Sequence, residues 1–206
     1  MIRNIIFDIG NVLAAFQWEV RFRQFTDSDE VLERLAAATV HSPVWNELDR
    51  GLMSHEELMQ AFSANDPVLE PLIRRCMAEY TGMIRMYDYS VPWIRALKAA
   101  GYGVYYLSNM NWFALRDCMD EMAFTREMDG GIMSCEEGLI KPDQAIFRLL
   151  FDRFRLTPEE CVFLDDSEVN IRAAKAAGMK GIVFRDKAQA EEAMRELGIG
   201  TSQGPL

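Results

Sequence analysis

Three apolar runs in this chain each end on a reactive side chain: IIF runs into Asp8, VYYL into Ser108 and CVFL into Asp165. Short runs rich in β-branched and aromatic residues read as buried strands. A buried strand that ends in a polar residue delivers it to the carboxyl edge of a parallel sheet, where open α/β proteins place their sites. The surrounding strings are FDIGNV at 7–12, YLSN at 106–109 and LDDSEVN at 164–170, with KPD at 141–143 between the last two.

The remaining pattern fits that sheet around one interruption. Residues 3–8 read as a strand and 9–16 as a turn. From about 17 to 88 no strand signal occurs, and helix signals take over. Val31, Leu32, Leu35 and Ala38 fall near helical spacing. Ser54-His55-Glu56-Glu57 is a capping box, and Asp66-Pro67 opens a further helix. After Asp88 the alternation resumes. A helix from Ser90 to about Gly101 precedes strand 103–107, and a helix follows over about 111–122. One weak strand lies within 124–135, then a helix over 143–155. Strand 161–165, a helix to about 177, strand 181–184 and a helix over 187–196 complete it. The fold class is therefore α/β, a Rossmann-like parallel sheet with a helical insertion after its first strand. Residues 1–16 and 89–200 form the core domain, 17–88 the helical domain, and 201–206 a loose tail.

Composition narrows the function. A net charge of −10 argues against nucleic acid, whose binding rests on Lys and Arg neutralising phosphates. Four cysteines without C-x-x-C spacing favour a reducing compartment. No apolar run is long enough to span a bilayer. A cytoplasmic protein with no nucleic-acid or membrane partner, monomeric or homodimeric, is the expectation.

The strand tips carry the chemistry. Asp165-Asp166 places two carboxylates side by side, and they repel unless a cation or base lies close. With Asp8 they make an oxygen-rich cluster suited to Mg²⁺. The same residues also suit the N-cap of the following helix, and one carboxylate can cap while the other ligates. Lys141, fixed by Pro142 in an extended or turn conformation, is placed to neutralise the cluster and a substrate anion. Ser108-Asn109 offers a hydroxyl and backbone N–H groups near a helix start, an arrangement for an oxyanion or phosphate.

In that order, these strings resemble the haloacid dehalogenase-like hydrolases over the whole chain. FDIGNV is similar to the family's first motif, LSN to its second, KPD to its third and LDDSEVN to its fourth. The 17–88 segment sits where the family's type-1 cap sits. The resemblance implies a phosphomonoester hydrolase acting on a small phosphorylated metabolite. Asp8 would be the nucleophile, forming an aspartyl-phosphate, with Ser108, Asn109 and Lys141 completing the catalytic set. It implies Mg²⁺ held by Asp8, the Gly10 carbonyl and Asp166, with Asp165 and Asn170 orienting waters and Lys141.

One position departs from the family's usual phosphatases. Two residues after the nucleophile they carry a second Asp, which protonates the leaving oxygen and then activates water. Here Gly10 stands there, followed by Asn11. That resembles the DxGN-type branch, which includes sugar-phosphate phosphatases acting on glucose 1-phosphate-like esters, and HSPVWNELDRGLMSHEEL also resembles that branch. A leaving group of that kind needs less help from an acid. Two alternatives are a 2-haloacid dehalogenase, which has no use for the metal pair, and a catalytically weak binding or regulatory protein. Asn11, Trp18, His41, Trp45 and Arg50 are candidates for substrate contact. Both histidines, His41 and His55, fall within 17–88, which removes Ser-His and Cys-His machinery from consideration.

Overall fold

The computed structural model describes residues 1–200, and the tail expectation for 201–206 lies outside the described residues. In chain order the elements are β1 (Asn4–Phe7), β2 (Ala14–Phe16), α1 (Trp18–Phe22), α2 (Asp29–Ala38), α3 (Val44–Arg50), α4 (His55–Asn65), α5 (Glu70–Cys76) and β3 (Ile84–Met86). They continue with α6 (Ser90–Ala99), β4 (Gly103–Ser108), α7 (Trp112–Asp117), β5 (Gly130–Met133), α8 (Ser134–Glu137), α9 (Gln144–Phe154), β6 (Cys161–Asp165), α10 (Glu168–Ala176), β7 (Lys180–Val183) and α11 (Lys187–Glu196).

Five strands form one parallel sheet in the order β5-β4-β1-β6-β7. β1 is central, and its alternating side chains supply both faces. Ile5 and Phe7 join Trp93, Ile94 and Leu97 of α6 on one side. Ile6 joins Ile146, Phe147 and Leu150 of α9 and Ile171 and Ala174 of α10 on the other. A strand buried on both faces reads as a continuous apolar run, which is why IIF and CVFL stand out in the sequence. The chain winds outward from β1 to β4 and β5, then returns to β6 on the opposite side. The carboxyl ends of β1 and β6 therefore flank the point where the winding reverses, the usual position of an α/β site.

Three expectations are corrected. The turn read over 9–16 and the strand-free stretch read over 17–88 each contain three strand residues. Ala14↔Met86, Ala15↔Arg85 and Phe16↔Ile84 pair antiparallel as a two-stranded ribbon. This ribbon is the neck through which the chain enters and leaves the helices. Gln17 N donating to the Met83 carbonyl (2.7 Å) and Tyr87 N donating to the Leu13 carbonyl (3.2 Å) extend it at both ends. Three residues are too few for a period-2 pattern to register. The helix read over 111–122 also stops early, at Asp117. Asp117 Oδ2 accepts Tyr80 N (2.7 Å), tying that turn to the end of the helical segment. A 3₁₀ stretch, Asp120–Glu127, follows.

In the helical segment α4 carries the capping box as expected: Ser54 accepts from Glu57 N while Glu57 accepts from Ser54 N. Helix α3 ends on Gly51 at φ 73°, a left-handed C-terminus that favours glycine. An added Cβ there would lie 2.7 Å from Cys135 Cβ, so glycine also permits α3 to close on α8. Ser134 Oγ accepts from Met110 N (2.8 Å) and donates to the Asp49 carbonyl (2.6 Å). Trp112 Nε1 donates to the Gly51 carbonyl at 3.3 Å. The C-terminal end of α3 is thus fastened to the sheet domain beside the tip of β4.

Candidate active site

β1 and β6 run in register, Phe7 opposite Leu164, so the next residues, Asp8 and Asp165, emerge side by side. Lys141 Nζ lies 2.8 Å from Asp8 Oδ1 and 2.7 Å from Asp165 Oδ2. All three residues are buried. Lys141 is held by a reciprocal clamp at the tip of β4: its N–H donates to Asn109 Oδ1 (2.8 Å), and Asn109 Nδ2 donates to its carbonyl (3.0 Å). Asp165 also accepts from Ser167 N (2.8 Å) and from Asn170 Nδ2 (3.0 and 3.1 Å), which commits both its oxygens. Asp166 is exposed, and its Oδ2 accepts from Asn11 Nδ2 at 3.0 Å. Asn11, at φ 56°, also accepts Phe16 N (3.2 Å) and so links Asp166 to the neck ribbon. Asp8 Oδ1 takes the Ile9 N–H (2.7 Å) as well as Lys141. No hydrogen bond reaches Asp8 Oδ2 among the described residues, which leaves that oxygen available as a nucleophile.

One carboxylate oxygen from each of Asp8, Asp165 and Asp166 lies within 4.8 Å of the others. Three carboxylates face one ammonium, so the cluster is short of positive charge. Burial raises the Asp8 carboxyl to about 7, and Asp165 and Asp166 add to the rise against the pull of Lys141. Burial pulls Lys141 down, but Asp8 and Asp165 outweigh it and hold the ammonium above its ordinary range. With Asp165 fully engaged, Asp8, Asp166 and the Gly10 carbonyl are the oxygens left for a hard divalent cation, and this donor set fits Mg²⁺.

A cavity of about 170 Å³ opens over these tips. Its floor includes Asp8, Gly10, Asn11, Asn109 and Asp166, and its far wall comes from Trp45, Asp49 and Tyr80 with Phe16 and Ile84 of the neck. Ser108 is buried at the end of β4 and does not line the cavity, and its side chain forms no hydrogen bond among the described residues. Of the candidates named within the helices only Trp45 reaches the cavity, tilted on Phe16 (5.6 Å) and stacked on Tyr80 (6.2 Å between centroids). Trp18 packs against Phe22 and His41 away from it, and His41 is exposed. Arg50 reaches across to Asp143 at 3.4 Å and pairs with Glu47 at 3.5 Å.

Three residues of the cavity lining escaped the sequence reading: Asp49, Tyr80 and Asn111. Asp49 is buried, and its Oδ1 accepts from Asn111 Nδ2 at 3.2 Å. Asn111 in turn accepts Ala114 N (3.0 Å) at the start of α7. Tyr80 Oη is buried without a hydrogen bond, and Asn111 lies close to it but outside hydrogen-bonding geometry. The available signal was spacing: Asp49 follows Trp45 by four residues, so both lie on one face of α3.

Burial pushes the Asp49 carboxyl up to about 7, against the opposing effects of Asn111 and Lys141, and Asp8 raises it further. An acid whose folded value lies above its ordinary 3.8 takes up a proton on folding, so its cost to stability grows as pH rises from about 4 to about 7. Asp49→Asn keeps an acceptor for Asn111 and removes that cost. Thermal melts in chelator should show the variant gaining on the parent by a few kcal/mol between pH 5 and pH 8, since each tenfold difference in proton affinity between the folded and unfolded chain is worth about 1.4 kcal/mol. An equal difference at both pH values would contradict a protonated Asp49.

The chain belongs to the haloacid dehalogenase-like hydrolases, whose family model matches residues 2–178. It is an enzyme of the α/β class that this sheet and these strand tips define. Among similar proteins, the sesquiterpene phosphatase astK of Aspergillus oryzae is 26% identical over 196 residues, covering 93% of this chain and 94% of that one. The drimenol cyclase drtB of Aspergillus calidoustus is 24% identical over 200 residues; the match covers 96% of this chain but only 36% of that much longer protein. A haloacid dehalogenase family enzyme of Bacteroides thetaiotaomicron, solved with magnesium and inorganic phosphate, superposes with a TM-score of 0.67 at 20% identity, covering 92% and 99% of the two chains. No described helix is long and apolar enough to cross a membrane.

Proposed function

We propose that this hydrolase cleaves phosphomonoesters of a small metabolite, with Asp8 as nucleophile and Mg²⁺ as its metal. The observation that carries this reading is Asp8 itself, a buried carboxyl group lining the cavity whose Oδ1 is pinned by Lys141 and Ile9 N while Oδ2 takes no hydrogen bond among the described residues. Asp8 Oδ2 attacks phosphorus in line, the bond to the ester oxygen breaks, and water then hydrolyses the aspartyl-phosphate. Lys141 works against the protonation that burial favours at Asp8, keeps its Oδ1 in place and brings positive charge to the site. Asp165 and Asn170 keep Lys141 and the turn before α10 in place. Mg²⁺ held by Asp8, Asp166 and the Gly10 carbonyl would supply the positive charge this acidic cluster lacks, so that one anion can approach another.

We further propose that the helical segment 17–88 acts as a cap that sets substrate choice through Trp45 and Tyr80. Both rings share the cavity lining with Asn109 and Asn111, a mix of apolar and polar groups that suits a sugar phosphate, and about 170 Å³ keeps the substrate small. Cytoplasmic location and a monomeric or dimeric state complete the reading. The three-carboxylate cluster weighs against a dehalogenase, because displacement of halide from carbon does not need a metal.

The test is phosphate release from an aryl phosphate, a sugar-phosphate panel and a terpenyl phosphate, with Mg²⁺ or chelator. Release that chelator abolishes and Mg²⁺ restores is the expected result. Preference for the terpenyl ester would change the substrate class and leave the reaction intact. Halide release from a 2-haloacid with no phosphate release would overturn the proposal.

A further inference from the structure

Gly10 supplies no proton to a leaving group, and the cavity offers a replacement on the opposite wall. Resting on the phosphatase reading, we propose that Asp49 of α3 is the general acid and base of this enzyme, working from the helical side where phosphatases of this family usually work from the strand tip.

In-line attack by Asp8 places the leaving oxygen on the side of phosphorus away from Asp8, within the cavity that Asp8 and Asp49 both line. The carboxyl groups lining the cavity are Asp8, Asp49 and Asp166; the first and last belong to the nucleophile and metal cluster, which leaves Asp49. Its placement is fixed twice. The backbone is tied by Ser134 Oγ to the Asp49 carbonyl (2.6 Å), and Oδ1 is held by Asn111 (3.2 Å). Oδ2 takes no hydrogen bond among the described residues. Beside it the buried Tyr80 hydroxyl also lacks a partner, an arrangement that calls for a polar atom of a ligand at this end of the cavity. Tyr80 is the poorer acid, since burial holds its phenol well above the ordinary range, whereas the Asp49 carboxyl lies near neutrality, where both proton transfers are accessible.

The steps balance. Asp8 Oδ2 bonds to phosphorus as the ester P–O bond breaks, and the proton on Asp49 passes to the departing oxygen, giving the alcohol. Asp49, now a carboxylate, takes a proton from water as that water attacks phosphorus. The P–O bond to Asp8 breaks, phosphate leaves, and both residues return to their starting states.

Asp49→Asn discriminates this role from a structural one through leaving groups. With p-nitrophenyl phosphate, whose leaving group needs no acid, the variant should still form the phosphoenzyme at close to the parent rate. The second step then slows, giving a burst of nitrophenol and accumulated phosphoenzyme. With a primary alkyl phosphate the first step should itself fall by about 10²–10³-fold. An added Cβ at Gly10 meets no atom within 4 Å, so Gly10→Asp added to Asp49→Asn should recover alkyl-phosphate turnover. Asp49→Glu, which keeps the carboxyl, should retain more alkyl-phosphate activity than Asp49→Asn. An equal fall for both ester classes without a burst, or no change in either, would overturn the role of Asp49 while leaving the phosphatase reading standing. A parent protein inactive on every phosphoester would overturn that reading, and this inference with it.

Discussion

Asp8→Asn is expected to abolish phosphate release, a fall of about 10⁴-fold or more in kcat, as for loss of other enzyme nucleophiles. The amide matches the carboxylate in shape, and its oxygen can still accept from Ile9 N and Lys141, the two contacts on Oδ1. What disappears is the anionic Oδ2. The fold should not suffer. Burial and two neighbouring carboxylates work against charge at this position, so a neutral amide relieves the cluster and the variant should melt no lower than the parent in chelator. A collapse in stability alongside the activity would make the loss uninformative about the nucleophile, and retained activity would contradict it.

Lys141→Met should destabilise the fold strongly. Lys141 is the ammonium that meets both Asp8 and Asp165, at 2.8 and 2.7 Å, and all three residues are buried. Removing one partner of a buried charge cluster costs about 3–5 kcal/mol, because the charges left behind have no compensation. The sign with pH follows from Asp8. Its folded value is already raised to about 7, and losing the cation raises it further. The penalty therefore grows as pH rises through neutrality and shrinks in acid, where the carboxyl is protonated. Denaturant titrations of parent and variant in chelator at pH 5 and pH 8 would show this as a larger loss at pH 8. Adding Asp8→Asn to Lys141→Met removes one uncompensated charge and should restore part of the loss, a coupling expected for residues in contact.

What the sequence revealed and what it concealed have a common physical basis. β6 was readable at residues 161–165 and β1, β4 and β7 to within a residue or two, because strands buried on both faces leave unbroken apolar runs. The residues at their tips inherit positions from those strands, so Asp8, Asp165 and Asp166 could be brought together on paper. Lys141 was harder, because its place depends on the clamp to Asn109 in a loop between elements. The neck ribbon was hidden by its brevity, three residues on each side. Asp49, Asn111 and Tyr80 were hidden for a different reason. They come from three separate segments and meet because α3 closes on α8 through Gly51 and Ser134 while Asp117 holds Tyr80. Nothing local in ELDRG distinguishes a solvated carboxylate from one sealed into a cavity wall. The candidates Trp18, His41 and Arg50 show the converse, since residue type alone suggested substrate contact where packing assigns other neighbours.

The central claim is covalent transfer of a phosphoryl group to Asp8, and trapping that intermediate tests it most directly. The parent protein would be mixed with an aryl phosphate and Mg²⁺, quenched in acid within the first turnover, digested, and its peptides mapped by mass spectrometry. The account predicts one phosphoryl group on the peptide containing Asp8, absent with chelator and absent in Asp8→Asn. Phosphate release without any label on that peptide, or a label that persists in Asp8→Asn, would contradict it.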